Sequence, residues 1–164
     1  MIKPFIIAAL TADGYIAKHE NHPASWTSKD DKKTFVSLTK RAGVVIMGSR
    51  TYETIGRPLK DRKTIVYTKD KTYEGVETTQ EDPKKLLERL EKEGFEEVAI
   101  CGGTSIYTFF MNRGLVHKLY LTIEGILFGK GLNLFNEELD IKLSLVSSKQ
   151  IGDNTILLEY NIEK

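Results

Sequence analysis

Several short runs of nearly unbroken apolar residues, beginning with Pro4 to Leu10, Gly43 to Met47 and Lys63 to Thr68, constrain this chain more than any other feature. A strand with one face in water alternates polar and apolar residues, whereas a run apolar at almost every position suits a strand covered on both faces, as in a parallel sheet. Further strands are expected at Gly75 to Thr78, Glu97 to Ile100, His117 to Ile123, Leu143 to Gln150 and Thr155 to Ile162, with Gly152 to Asn154 as a hairpin turn between the last two. Helical patterns fill the gaps: Ser28 to Arg41, a stretch opened by Asp82-Pro83 and stopped by Gly94, and one running from Gly102-Gly103 to about Asn112. This alternation predicts an α/β fold with a mixed, mostly parallel central sheet, an antiparallel C-terminal edge and flanking helices. No repeat, linker or low-complexity tract interrupts it, so residues 1–164 are expected to form one domain.

Charge narrows the possible partners. Lysine and arginine number 24 against 23 acidic residues, which gives no overall attraction to nucleic acid or an anionic membrane. The apolar run near the N-terminus is too short to span a bilayer, and the single cysteine, Cys101, excludes an internal disulfide; a cytoplasmic protein is expected. His19, His22 and Cys101 lack the spacing of metal ligands, and no metal is expected.

Within the Ser28 helix, at ~100° per residue, Asp31 falls in one arc with Phe35, Leu38 and Ala42, in the middle of the apolar face. Asp30 lies about a quarter-turn away, so the two carboxylates do not form a dyad. A carboxylate turned into an apolar layer is costly unless something binds it, and desolvation raises its pKa into a range useful for proton chemistry. A second reading stays open from the residues alone: Ser28-Lys29-Asp30-Asp31 also matches a capping box, in which Asp31 only reaches back to the backbone of Ser28.

Two strand-to-helix junctions carry glycine and hydroxyl residues, Ile46-Met47-Gly48-Ser49-Arg50-Thr51 and Ala99-Ile100-Cys101-Gly102-Gly103-Thr104-Ser105. Each offers free backbone N–H groups at the carboxyl end of a strand, the place where α/β sheets hold nucleotides. Tight turns without a ligand fit the same residues, and neither junction matches a Rossmann or P-loop pattern. Arg50 and Lys69 stand where they would meet a phosphate, and Arg57 and Arg62, flanking a proline turn, would clamp an acidic tail; all four also fit solvated surface positions. Trp26 and Tyr107 fit core aromatic positions as well as site positions.

Taken in order, these segments resemble dihydrofolate reductase. Met47 to Leu59, reading MGSRTYETIGRPL, is similar to that family's M-G-R-x-T-[WFY]-E-S-I-G-R-P-L segment at nearly every position. Ile7-Ala8-Ala9, then Asp13-Gly14-Tyr15-Ile16, Trp26 five residues before Asp31 and Phe35 four after it repeat the family's spacing around its single acid. Cys101 to Tyr107 corresponds to its double-glycine turn, and Leu119 to Thr122 to its late strand bearing a threonine beside the acid.

The resemblance implies a three-layer dihydrofolate-reductase-like fold and NADPH-dependent reduction of 7,8-dihydrofolate. By it, Asp31 binds the pterin, with Thr122 and Trp26 beside it as catalytic residues. Ile7, Phe35 and Leu59 contact the substrate, and Arg62 takes its glutamate carboxylate. Ala9 and Ile16 hold the nicotinamide. Gly48, Ser49, Arg50 and Thr51, with Thr68 and Lys69, serve the phosphates from one side; Cys101, Gly102, Gly103, Thr104, Ser105, Ile106 and Tyr107 serve the pyrophosphate from the other.

The pattern also departs from that family. Ala17 stands where glycine is usual, and Arg113 to Phe135 looks more like the reductase domain of riboflavin biosynthesis, which shares the fold and reduces a ribosylamino-pyrimidine phosphate with NADPH. That substrate is the alternative expectation, and with it a homodimer through the C-terminal half. A protein that binds nucleotide without chemistry is a third.

Overall fold

The computed structural model describes residues 1–164. In chain order the strands and helices are β1 (Lys3–Thr11), β2 (Tyr15–Ala17), α1 (Lys29–Ala42), β3 (Val44–Gly48), α2 (Ser49–Ile55), β4 (Lys63–Tyr67), β5 (Glu77–Thr79), α3 (Pro83–Lys92), β6 (Glu97–Ile100), α4 (Thr104–Asn112), β7 (Lys118–Glu124), β8 (Leu132–Asn133), β9 (Leu143–Gly152) and β10 (Thr155–Ile162). A single 3-10 turn, Ala24–Trp26, precedes α1.

Eight strands form one sheet in the order β5-β4-β3-β6-β1-β7-β10-β9. Neighbours from β5 to β7 run parallel, and β10 pairs antiparallel with both β7 and β9, giving the expected antiparallel edge. The central strands are sealed on both faces, so Ile6, Val44, Val45, Ile46, Ile65, Val66 and Ile100 are fully buried. Strand alternation divides them. Ile6, Val44, Ile46 and Ile100 pack toward Leu86 and Leu90 of α3 and Phe110 of α4, while Phe5, Ile7, Val45 and Met47 pack toward Ala42, Phe35 and Leu38 of α1 and Tyr52 of α2. The result is three layers, helix on sheet on helix. No helix is long and apolar enough to cross a membrane.

Most sequence-expected strands match within two residues, and two differences bear on the site. The strand expected from Gly75 begins at Glu77, because Gly75 takes φ +73° against Pro58 and is still part of the turn. β2 and β8, which pair antiparallel in a small second sheet, were not expected. Three- and two-residue strands carry too little periodicity to register. Their pairing depends on Gly131, where a Cβ would lie 2.3 Å from the carbonyl oxygen of Ala17.

Gly131→Ala is therefore expected to push β8 off β2 and to cost roughly 1–3 kcal/mol, the usual penalty for overpacking. Thermal melts should fall by about 2–4 °C per kcal/mol, and amide exchange at Tyr15 to Ala17 should accelerate while β1 stays protected.

Candidate active site

The amino end of α1 sets the site. Ser28 is extended (φ −70°, ψ 163°) and its Oγ accepts the amide of Asp31 at 3.1 Å, so half of the capping box forms. The other half does not. The Ser28 amide donates to the carboxylate of Glu124 on β7 instead of to Asp31. Glu124 is 5% exposed, and its second oxygen accepts the hydroxyl of Thr155, its cross-strand neighbour on β10, at 2.5 Å. Asp31 is left with a carboxylate that its own helix does not use.

That carboxylate lines a cavity of about 590 Å³ between α1, β1 and the two glycine junctions. Burial pushes the Asp31 pKa up; a hydrogen bond from Thr122 opposes this, the charge of Glu124 adds to it, and Thr27 and Lys32 pull the other way. No ion pair neutralises Asp31; Lys32 acts on it only through space. Lys32 Nζ is engaged elsewhere, donating to Thr27 Oγ1 at 2.6 Å, Thr27 O at 2.9 Å and Ala24 O at 3.2 Å. It pins the 3-10 turn, and with it Trp26, against the start of α1.

Of the residues singled out in the sequence, Ile7, Ala9, Ile16, Trp26, Asp31, Phe35, Thr51, Leu59, Arg62, Cys101, Gly102, Gly103, Thr104 and Tyr107 all line this cavity. Thr122, 2% exposed, sits behind Asp31 on the same face of β7 as Glu124. Trp26 is no simple core residue, for its indole Nε1 is buried without a partner. Arg62 is held by Thr39 Oγ1 (2.9 Å) and the Lys60 carbonyl (2.9 Å), which fixes the plane of its guanidinium at the rim. Burial drives the Cys101 thiol up to about 12, so it is an inert wall rather than a nucleophile.

The two glycine junctions lie side by side because β3 and β6 are neighbours, and the Gly48 amide donates to the Gly102 carbonyl at 2.8 Å. Neither α2 nor α4 has a side-chain cap, which leaves their first amides to a ligand or water. Gly102 takes φ +117°, and a Cβ there would come within 3.2 Å of the Tyr107 hydroxyl. Tyr107 is buried and donates that hydroxyl to the Ile7 carbonyl at 2.7 Å, so it serves as a structural strut between α4 and β1.

Other candidates stand outside the cavity. Arg50 pairs with Glu20 at 2.5 Å rather than standing free. Gly48, Ser49 and Ile106 belong to the junctions without lining the cavity, and Gly48 packs where a Cβ would meet Ile106 at 3.2 Å. Thr68 Oγ1 accepts the amide of Lys71 at 3.3 Å, Lys69 is exposed with its carbonyl taking Gln80 Nε2, and Ser105 Oγ faces Asn136 Nδ2 at 3.5 Å.

Three functional neighbours escaped the sequence reading: Glu124, Lys32 and Phe128. Phe128 packs edge-on to Trp26 (5.1 Å between centroids) and His22 (5.5 Å). Its segment is anchored by Asp13, whose carboxylate accepts the amides of Phe128 (3.2 Å) and Gly129 (2.7 Å). Period-2 counting from Thr122 would have put Glu124 on the same face; nothing local marked the other two.

A family model described as dihydrofolate reductase matches residues 3–148. The dihydrofolate reductase of Bacillus subtilis (strain 168) is 34% identical over 124 residues, covering 73% of this chain and 70% of that protein. Among solved structures, dihydrofolate reductase from Enterococcus faecalis complexed with NADP(H) superposes with TM-score 0.77 at 24% identity, covering 99% of this chain and 97% of that one. A diaminohydroxyphosphoribosylaminopyrimidine deaminase/5-amino-6-(5-phosphoribosylamino)uracil reductase from Thermotoga maritima superposes with TM-score 0.80 at 16% identity, with 99% of this chain covering 57% of that one. At such identities the two structures speak for the fold alone.

A raised carboxyl pKa has a stability consequence. The folded state holds the Asp31 proton more tightly than the unfolded chain, so ionising it opposes folding. That cost is absent below the unfolded carboxyl value, ~3.9, grows as pH rises toward the folded value and is complete above it. Asp31→Asn should therefore raise the melting temperature of the ligand-free protein at pH 8 by a few degrees, about 2–4 °C per kcal/mol recovered, with the gain vanishing near pH 3.

Proposed function

The chain belongs to the dihydrofolate reductase family, and on that premise we propose that it reduces 7,8-dihydrofolate to tetrahydrofolate with NADPH. The observation that carries the reading is Asp31: a carboxylate with a raised pKa, released from its capping role and unpaired by any cation, in the wall of a cavity lined by Phe35, Leu59 and Trp26.

The site's residues suit the cofactor. Adjacent glycine junctions with uncapped helix starts fit the two linked phosphates of a dinucleotide, and the φ of Gly102 together with its closeness to Tyr107 leaves no room for a side chain there. Gly102 to Thr104 and Thr51 would hold that group, and Ala9 and Ile16 would face its nicotinamide. NADPH, when bound, supplies the hydride that C6 of the substrate accepts. Arg50 would exchange Glu20 for a phosphate.

The protein's share is orientation and electrostatics. Phe35 and Leu59 enclose the pterin and its side arm, while Arg62 receives the carboxylate tail with a guanidinium already oriented by Thr39. Asp31 accepts hydrogen bonds from the 2-amino group and N3, and Thr122 holds its carboxylate in that direction. Because its pKa is raised, Asp31 stabilises the protonated ring while N5 takes its proton through water. Trp26 contributes its unpartnered N–H at the same wall. The overall change is balanced: one hydride to C6 and one proton to N5.

The test is the fall in NADPH absorbance with dihydrofolate, run beside the ribosylamino-pyrimidine phosphate of riboflavin biosynthesis. Rapid oxidation with dihydrofolate, reduced about 10²-fold or more in Asp31→Asn while NADPH affinity changes less than about tenfold, is expected. Oxidation with the pyrimidine alone would move the substrate assignment and leave the cofactor site standing. Turnover unchanged in Asp31→Asn would remove that residue from the mechanism.

A further inference from the structure

Glu124 is buried at the end of β7 with no lysine, arginine or histidine bonded to it, an expensive placement that the fold maintains beside a second carboxylate. We propose that Glu124 is a positioning residue for the reaction: it takes the Ser28 amide that Asp31 would otherwise cap, and so keeps the Asp31 carboxylate turned into the pocket. The inference rests on the reading of Asp31 as the substrate-binding acid.

The geometry is specific. Ser28 begins a sequence that matches a capping box, and its Oγ does hold the Asp31 amide at 3.1 Å. A carboxylate three residues into a helix ordinarily returns to the capping residue's amide, and Asp31 is in that position. Glu124 competes for the same amide from the sheet and wins because Thr155 fixes it, donating at 2.5 Å, while Thr155 Oγ1 also lies 3.3 Å from Ser28 Oγ. Ser28, Glu124 and Thr155 thus join α1, β7 and β10 in one cluster, with Glu124 and Thr155 buried. Without the Glu124 acceptor, the Asp31 carboxylate, at the capping-box position, is free to turn back to the Ser28 amide at the cost of leaving the pocket.

Glu124 also acts on Asp31 through space. The groups around Asp31 are Thr122 and Glu124 on β7, Thr27 before α1, Lys32 on its own helix and Tyr107 on α4. Glu124 is the one among them whose charge raises the Asp31 pKa. Its removal, by either route, should make Asp31 more acidic: loss of the charge does so directly, and capping of the Ser28 amide would do so by hydrogen bonding.

Two substitutions separate the effects. Glu124→Gln keeps an oxygen for the Ser28 amide and lacks the charge; Glu124→Ala has neither. Steady-state turnover across pH, NADPH affinity and direct titration of the Asp31 carboxyl by carbon-13 NMR, assigned with Asp31→Asn, are read for both. In Glu124→Ala, kcat is expected to fall about 10²-fold with NADPH affinity retained, since a displacement of about 1 Å at a reacting group has that effect. Glu124→Gln should restore kcat to within about tenfold of the unaltered enzyme. In both variants the Asp31 titration should move to lower pH. Equal kcat losses in the two variants, or an Asp31 titration that stays in place, would overturn the proposal. If Glu124→Ala does not fold, Glu124→Met, which keeps the side-chain volume without an acceptor for the Ser28 amide, is measured in its place, and equal kcat in Glu124→Met and Glu124→Gln would overturn the proposal. Failure of the enzyme to reduce any pterin would fall on the functional reading, whereas the titration needs no substrate and still judges Glu124.

Discussion

The first amides of α1 need partners, and the way they find them fixes where Asp31 points. Ser28 Oγ satisfies the Asp31 amide, and a buried carboxylate from β7 satisfies the Ser28 amide. An N–H without a partner at a part-buried site is costly, and Glu124 serves this one. Because Glu124 does so, Asp31 keeps its carboxylate for the cavity, and burial then raises its pKa. Chemistry at the site follows from this division of labour between two acids, one capping and one facing the ligand.

The sheet makes that division possible. β7 lies between β1 and β10, so alternate residues of its inner face, Tyr120, Thr122 and Glu124, are presented in a row to α1 while Thr155 stands opposite Glu124. The parallel half of the same sheet brings β3 and β6 together, and the glycine junctions that follow them meet through the Gly48 to Gly102 hydrogen bond. A rigid core thereby places an acid on one wall of the cavity and open backbone amides on another. The surrounding loops are attached more lightly, by Asp13 to the Phe128 segment and by Thr104 to the Asn133 carbonyl.

Sheet and helices were legible in the sequence because long apolar runs, helix caps and the Asp153-Asn154 turn are local signals. Asp31 was legible as a misplaced charge on an apolar stripe, yet the capping reading could not be dismissed from that pattern, and the structure explains why: half of the cap exists. Glu124 shares a strand face with Thr122, but its bond to Ser28 was not legible, since the two lie 96 residues apart and meet only where α1 packs on the sheet. The pairing of Arg50 with Glu20 is likewise non-local, 30 residues apart in the chain. Phe128 escaped because its partners, Asp13, His22 and Trp26, lie more than 100 residues away in the chain.

The most direct test of Asp31 as the acid that supports reduction is the single-turnover rate of hydride transfer to dihydrofolate, measured across pH with ordinary NADPH and with NADPH deuterated at the transferring position. With the raised Asp31 pKa, the rate should climb as pH falls through that value and show a primary isotope effect, and Asp31→Asn should flatten the profile. A hydride-transfer rate independent of pH, or a profile that Asp31→Asn leaves unchanged, would contradict it.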